Sequence, residues 1–231
     1  MRKKKSIIIA TVKTWNISNA LNLKSRLKNR YHIVIITKKD RLNYDAVKKI
    51  NPEYIFFPHW SWIIPMNVHK NFKCIGFHMT DLPFGRGGSP LQNLIVRRIY
   101  RTKISAISIT SGIDSGPVYL KKPLSLSGSA QDIFKNASRT VFGQMIPQIL
   151  KGGLVPRRQK GKVVRFARRT HSQGSIFDLR SMADVYDYIR MLDAQGYPPA
   201  FIETRFLKIE FSNACLKKGH IVATAKIKEN K

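Results

Sequence analysis

At 231 residues, with 43% apolar and 10% aromatic side chains, the chain is long enough to bury a core and too apolar for a disordered tail. Forty-two Lys and Arg against 13 Asp and Glu give a net charge of +29, a field that attracts polyanions. The basic residues are spread along the chain, so a solvated surface or a funnel for phosphorylated small molecules is expected ahead of nucleic acid, and two isolated cysteines, Cys74 and Cys215, show no spacing that suggests a zinc site or disulfide frame.

The apolar run after Met-Arg-Lys-Lys-Lys is too short for a signal peptide and lacks a cleavage site, so residues 6–12 (SIIIATV) read as a first strand. No window approaches a membrane span, which leads to the expectation of a cytoplasmic protein with no membrane partner. A helix is predicted over 18–28, strands over 31–36 (YHIVII) and 54–57, and a short helix over 45–50 between them. A strand over 74–78 follows. Residues 89–101 read as a helix with Ser89 as N-cap and Pro90 in its first position. Strands over 104–110 and 118–121 lead to a long amphipathic helix over 132–151, ended by Gly152-Gly153. One dense basic stretch, 157–169 (RRQKGKVVRFARR), comes next. Beyond it lie a helix over 183–192, a Gly-Tyr-Pro-Pro turn at 196–199 and strands over 200–204, 206–212 and 220–226.

Alternating strands and helices predict an α/β, Rossmann-like domain: a mostly parallel sheet with flanking helices, spanning 1–170. Residues 171–231 are expected to form a small β-rich C-terminal subdomain. In such a sheet ligands bind at the carboxyl ends of the strands. Residues 10–16 (ATVKTWN), after the first strand, contain no glycine, so a dinucleotide-binding turn is absent.

The chemistry concentrates between Phe57 and Pro117. His78 ends a predicted strand, where a sheet of this kind meets its ligand. Phe84-Gly85-Arg86-Gly87-Gly88-Ser89-Pro90 then reads as a flexible glycine-rich loop entering a helix, with backbone N–H groups suited to an anion. Thirty-six residues after His78 comes Asp114, in a loop with glycine on both sides, Ser111-Gly112-Ile113-Asp114-Ser115-Gly116-Pro117.

These residues carry a resemblance. His78 within FHMTDLPFGRGGSP resembles the N-x-H-x-S-L-L-P element of formyltetrahydrofolate-dependent formyltransferases, and Ile113-Asp114-Ser115-Gly116 resembles their D-T-G element at matching separation. His59-Trp60-Ser61-Trp62-Ile63-Ile64-Pro65 looks like the folate-binding segment, and 185–200 (VYDYIRMLDAQGYPPA) is similar to the start of the C-terminal domain in methionyl-tRNA and sugar formyltransferases. The HWSxxIP and FHMTDLPxGRGGSPLQNLI blocks resemble most the sugar N-formyltransferases of nonulosonic (pseudaminic or legionaminic) acid pathways, which build surface polysaccharide. One position departs: where the family has Asn two residues before the histidine, this chain has Gly76, and losing one oxyanion donor of that kind costs about 3 kcal/mol.

The resemblance implies transfer of a formyl group from N10-formyltetrahydrofolate to the amine of a nucleotide-linked, UDP-type amino sugar. It implies His78 for proton transfer and oxyanion contact, Asp114 to orient it and relay the proton, and His59 as the substitute donor. Gln92 and Asn93 are weaker candidates for that last task. Trp62, Ile63, Ile64, Ser111, Gly112 and Ile113 are implied around the folate; Arg86, Gly87, Gly88, Ser89, Arg190 and Tyr197 are implied around the acceptor. No metal is implied, and a homodimer is compatible. Methionyl-tRNA formylation is the alternative the charge would suit, glycinamide ribonucleotide formylation a third. A non-catalytic nucleic-acid-binding protein on the same fold is the alternative of another class.

Overall fold

The computed structural model describes residues 4–230. β1 (Lys5–Ala10), α1 (Thr14–Leu27), β2 (Tyr31–Ile36), α2 (Tyr44–Ile50), β3 (Tyr54–Phe57), α3 (Met66–Asn71) and β4 (Cys74–His78) alternate along the first third. β5 (Arg86–Gly87), α4 (Pro90–Ile95), β6 (Arg101–Ser108), β7 (Val118–Ser125), α5 (Ala130–Thr140), α6 (Ile146–Leu150), β8 (Arg165–Phe166), α7 (Met182–Leu192), β9 (Ala200–Glu203), β10 (Leu207–Lys217) and β11 (His220–Glu229) follow.

Six strands form a mixed sheet in the order β2-β1-β3-β4-β6-β7. β1 runs parallel to β2 and β3, β3 parallel to β4, and β4 antiparallel to β6. The expected Rossmann-like, mostly parallel architecture is therefore present. Alternate residues of the strands fill one core: Ile8 and Ala10, Ile55 and Phe57, with Ile36, Val47, Val68 and Cys74. Trp60, Ile64 and Ile109 pack against that cluster from the loops beyond the strand ends.

Two compact units divide the chain, and both are discontinuous in sequence. The first comprises residues up to 86, 103–124 and 135–164; the second comprises 87–102, 125–134 and the chain from 165. In the second, β9, β10 and β11 form an antiparallel sheet, and α7 packs on it through Val185, Tyr188, Ile189 and Leu192 at helical spacing.

Two predicted helices differ in outcome. Residues 89–101 are helical only to Ile95, because the Arg98 N–H bonds the Ile95 carbonyl and the Ile99 N–H reaches back to Leu94, with Arg98 at φ 58°. That paired closure is a Schellman ending made without glycine. Ser89 stands at the N-cap position, but its side chain makes no cap bond; its hydroxyl accepts the Arg169 N–H at 3.1 Å. The long helix over 132–151 is broken by a π-helical turn at Val141–Met145, directly before Pro147. Proline lacks an N–H and crowds the carbonyl four residues back, and a wider turn accommodates both.

Candidate active site

His78 is the last residue of β4 and is 9% exposed. Its Nε2 lies 2.7 Å from the Gly85 carbonyl oxygen, and its Nδ1 lies 3.5 Å from Oδ2 of Asp114. A carbonyl only accepts, so Nε2 carries a hydrogen, and Nδ1 is the ring nitrogen that faces the carboxylate. The loop between His78 and Gly85 is held internally. Thr80 donates its hydroxyl to the same Gly85 carbonyl at 3.3 Å, and Ser105 donates to the Thr80 carbonyl at 2.7 Å.

Asp114 comes from the loop joining β6 to β7 and sits at φ 48°, a left-handed conformation that costs a non-glycine residue about 1–2 kcal/mol. The neighbouring Gly116 is pressed on β6: a Cβ there would stand 1.8 Å from the Ser108 carbonyl oxygen. The loop therefore turns where only glycine fits.

A cleft of about 420 Å³ opens beside the pair, lined by Trp62–Met66, His69 and Ile107–Asp114. Asp114 forms part of its wall, and with it come Trp62, Ile63, Ile64, Ser111, Gly112 and Ile113. Ile63 is 93% and Ile113 70% exposed. Large apolar side chains left bare around a concavity suit a flat ring laid between them. Pro65, the end of the His59–Pro65 segment, is in the lining too, and Met66, His69, Ile109 and Thr110 join it without a motif to announce them.

The remaining candidates lie elsewhere. His59 follows β3 at φ 54°, outside that lining, its ring edge-on to Trp15 at 6.1 Å. Burial, aided by Lys13, pushes its pKa down to about 4. Arg86 gives Nε and Nη2 to Oε1 of Gln159 at 3.1 and 2.7 Å. Gly87 and Gly88 owe their lack of a side chain to close approach within the second unit. A Cβ on Gly87 would stand 2.3 Å from the Phe166 carbonyl oxygen, and one on Gly88 2.7 Å from Cα of Arg168. Backbone packing thus accounts for the glycines read as a flexible loop. Arg190 is buried, donating to Asp187 at 2.7 Å and to the Leu126 and Gly128 carbonyls at 2.6 and 3.0 Å. Tyr197 stacks on Phe134 at 5.1 Å, and burial pushes its hydroxyl up to about 12. Ser89 and Tyr197 both line a second cleft of about 240 Å³ with Arg168, Arg169 and His171. Gln92 and Asn93 give their amide N–H groups to backbone carbonyls, Met191 for the first, and Gly88, Ser89 and Ala167 for the second.

Gly76 lies within β4, where a Cβ would meet Cδ1 of Ile109 at 2.6 Å. The space next to this backbone position is filled by an apolar side chain.

Residues 171–228 match the family profile for the C-terminal domain of methionyl-tRNA formyltransferase. A methionyl-tRNA formyltransferase of Campylobacter jejuni is 20% identical over 176 residues, 74% of this chain; the match spans 57% of that relative's length. A solved structure named methionyl-tRNA formyltransferase from Clostridium thermocellum is 52% identical, with a TM-score of 0.96 over 98% of this chain and 100% of that one. A sugar N-formyltransferase from a Shewanella species shares the fold at 13% identity, with a TM-score of 0.70 over 95% of this chain and 96% of its own.

Proposed function

This chain belongs to the formyltransferase family, and from that premise we propose that it moves a formyl group from N10-formyltetrahydrofolate to a primary amine. One observation carries the reading: a buried imidazole and a carboxylate 3.5 Å apart, the carboxylate forming the wall of an apolar-rimmed cleft.

Formyl transfer leaves one proton to be moved. The acceptor amine loses it on becoming an amide, and the folate nitrogen that releases the formyl group takes one up. Asp114 is the group at the cleft surface and receives the proton; His78, behind it and anchored on Gly85, stabilises the charge while the proton is in transit. Trp62, Ile63, Ile64 and Ile113 cover the faces of the donor's ring. Gly76 offers no side-chain amide to the developing oxyanion, and Ile109 fills the space beside it. His59 stands outside the cleft lining but on the segment that reaches it at Trp62, and burial lowers its pKa to about 4; it is the donor we assign to that task, an N–H supplied without a charge.

For the acceptor, the amino group of a methionyl-tRNA is favoured by the 52% identical relative, by the C-terminal family profile and by the +29 charge. A nucleotide-linked amino sugar is the second reading. It is supported by the HWSxxIP and FHMTDLP blocks. The deciding experiment incubates the protein with formyltetrahydrofolate and, separately, methionyl-tRNA and a panel of UDP- and dTDP-linked amino sugars, following product mass. A gain of one formyl group on the tRNA alone selects the first reading, on a sugar alone the second. No formylated product from any acceptor sinks both.

A further inference from the structure

The stretch 157–169, conspicuous in the sequence for its charge, brings an uncharged side chain to the candidate site. Arg157 pairs with Val118, the residue after Pro117: the Val118 N–H donates to the Arg157 carbonyl at 2.7 Å, and the Arg157 N–H returns the bond at 2.9 Å. Two residues on, Nε2 of Gln159 donates to the carbonyls of Asp114 and Gly116 at 2.8 and 2.9 Å. Oε1 of the same amide accepts from Arg86. At the far end of the segment the Val164 carbonyl accepts the N–H groups of Gly85 and Arg86 at 2.9 and 3.0 Å.

These bonds close a ring. His78 rests on the Gly85 carbonyl, Arg86 follows Gly85 in the chain and holds Gln159, Gln159 holds the backbone of Asp114, and Asp114 faces His78 again. The orientation of the Gln159 amide is fixed by its partners, because a guanidinium only donates and backbone carbonyls only accept. The position asks for a donor and an acceptor on one planar group. A carboxylate of the same shape would meet Arg86 well but turn an oxygen onto two carbonyls. A thioether would satisfy neither side.

We propose that Gln159 is a positioning residue, setting the separation of the Asp114 carboxylate and the His78 imidazole by tying the Asp114 loop to Arg86. The bonds it makes to this loop go to carbonyls, and it acts through the left-handed turn on which Asp114 stands. The kinetic part of its test rests on the formyl-transfer reading; the spectroscopic part does not.

The test uses the full chain as Gln159→Glu and Gln159→Met, with Asp114→Asn for reference. Nitrogen-15 NMR of the His78 ring reads the pair directly. Both Gln159 variants are expected to move the His78 ring signals in the direction that Asp114→Asn moves them, while far-UV circular dichroism stays that of the parent. With an acceptor identified, kcat is expected to fall roughly 10- to 100-fold with KM for the folate donor within about twofold. In the Asp114→Asn background the same Gln159 substitution is expected to change kcat by less than about twofold, since it acts through a group already removed. His78 ring signals unmoved in a folded Gln159→Glu protein overturn the proposal, and so does an equal kcat loss in both backgrounds. A parent protein that formylates no acceptor overturns the formyl-transfer reading instead, and the ring signals then decide the role of Gln159 alone.

Discussion

Replacing the Asp114 carboxylate by an amide keeps the side chain's volume and removes the charge that faces His78. Asp114→Asn is expected to preserve the fold and to lower turnover by about 10²- to 10⁴-fold, the range associated with a lost general acid–base group. Steady-state kinetics beside circular dichroism checks this, and turnover near the parent's would remove Asp114 from the chemistry. His59 offers a second test at this scale. Burial drives its pKa down to about 4 from 6.5. The unfolded chain therefore binds a proton in this window that the folded protein refuses. Stability from this group is complete above pH 6.5 and is lost as the pH falls towards 4, a loss on the order of 3 kcal/mol. His59→Gln should flatten the decline of Tm between pH 7 and 4.5. A variant whose Tm falls as steeply as the parent's places the acid sensitivity on other groups.

Within the elements, two glycines with different neighbours should answer alanine differently. At Gly76 the obstacle to a Cβ is the tip of Ile109, which can swing to another rotamer. Gly76→Ala is expected to cost about 1 kcal/mol, roughly 2–4 °C in Tm for a chain of this size. At Gly116 the obstacle is the Ser108 carbonyl, backbone that cannot yield without moving β6. Gly116→Ala is expected to cost about 3 kcal/mol and to disturb the loop bearing Asp114. Thermal melts of the two variants side by side decide this; equal shifts would mean that the Asp114 loop is looser than its packing on Ser108 implies. The same contrast bears on the departure from the family pattern. Restoring Asn at position 76 alone would force Ile109 towards the cleft it lines. The pair Gly76→Asn with Ile109→Ala is the version with room for the amide.

Over the whole molecule the dominant quantity is charge. With +29 formal charges, an acceptor that carries many phosphates is drawn in by a field that salt screens. If methionyl-tRNA is the acceptor, kcat/KM is expected to fall by more than about tenfold between 50 and 200 mM salt, in line with the release of counterions from several phosphates. A sugar nucleotide, bearing two phosphates and no condensed counterion atmosphere to release, should lose less over that interval. Kinetics at three salt concentrations with each acceptor separates the cases; a tRNA reaction indifferent to salt would strip the charge of this role. Among the described residues no helix is long and apolar enough to cross a membrane.

The sequence by itself determined β1 to β4 and the helices that follow β1 and β2, because near-continuous apolar runs such as YHIVII and YIFF answer to local sterics and burial; α3, between β3 and β4, was not among the predicted elements. It also determined which two residues to watch, since His78 ends a strand and Asp114 stands in a loop that only glycine allows to turn. What it did not contain is every feature that depends on atoms distant in the chain. The end of α4 at Ile95 follows from a Schellman closure on Arg98, a residue whose type gives no sign of a left-handed turn. Gly87 and Gly88 look like a flexible loop until Phe166 and Arg168 are seen against them. Arg190, a plausible ligand for an anion by charge alone, is turned inward onto Asp187 and two carbonyls. Gln159 is one neutral residue among basic ones, and only the tertiary structure, by bringing 86, 114 and 159 within hydrogen-bond reach, decides that it meets both sides of the candidate site. Local periodicity is written in neighbouring residues; hydrogen-bond partners tens of residues apart are chosen by the packing of the sheet and its loops, which no local pattern encodes.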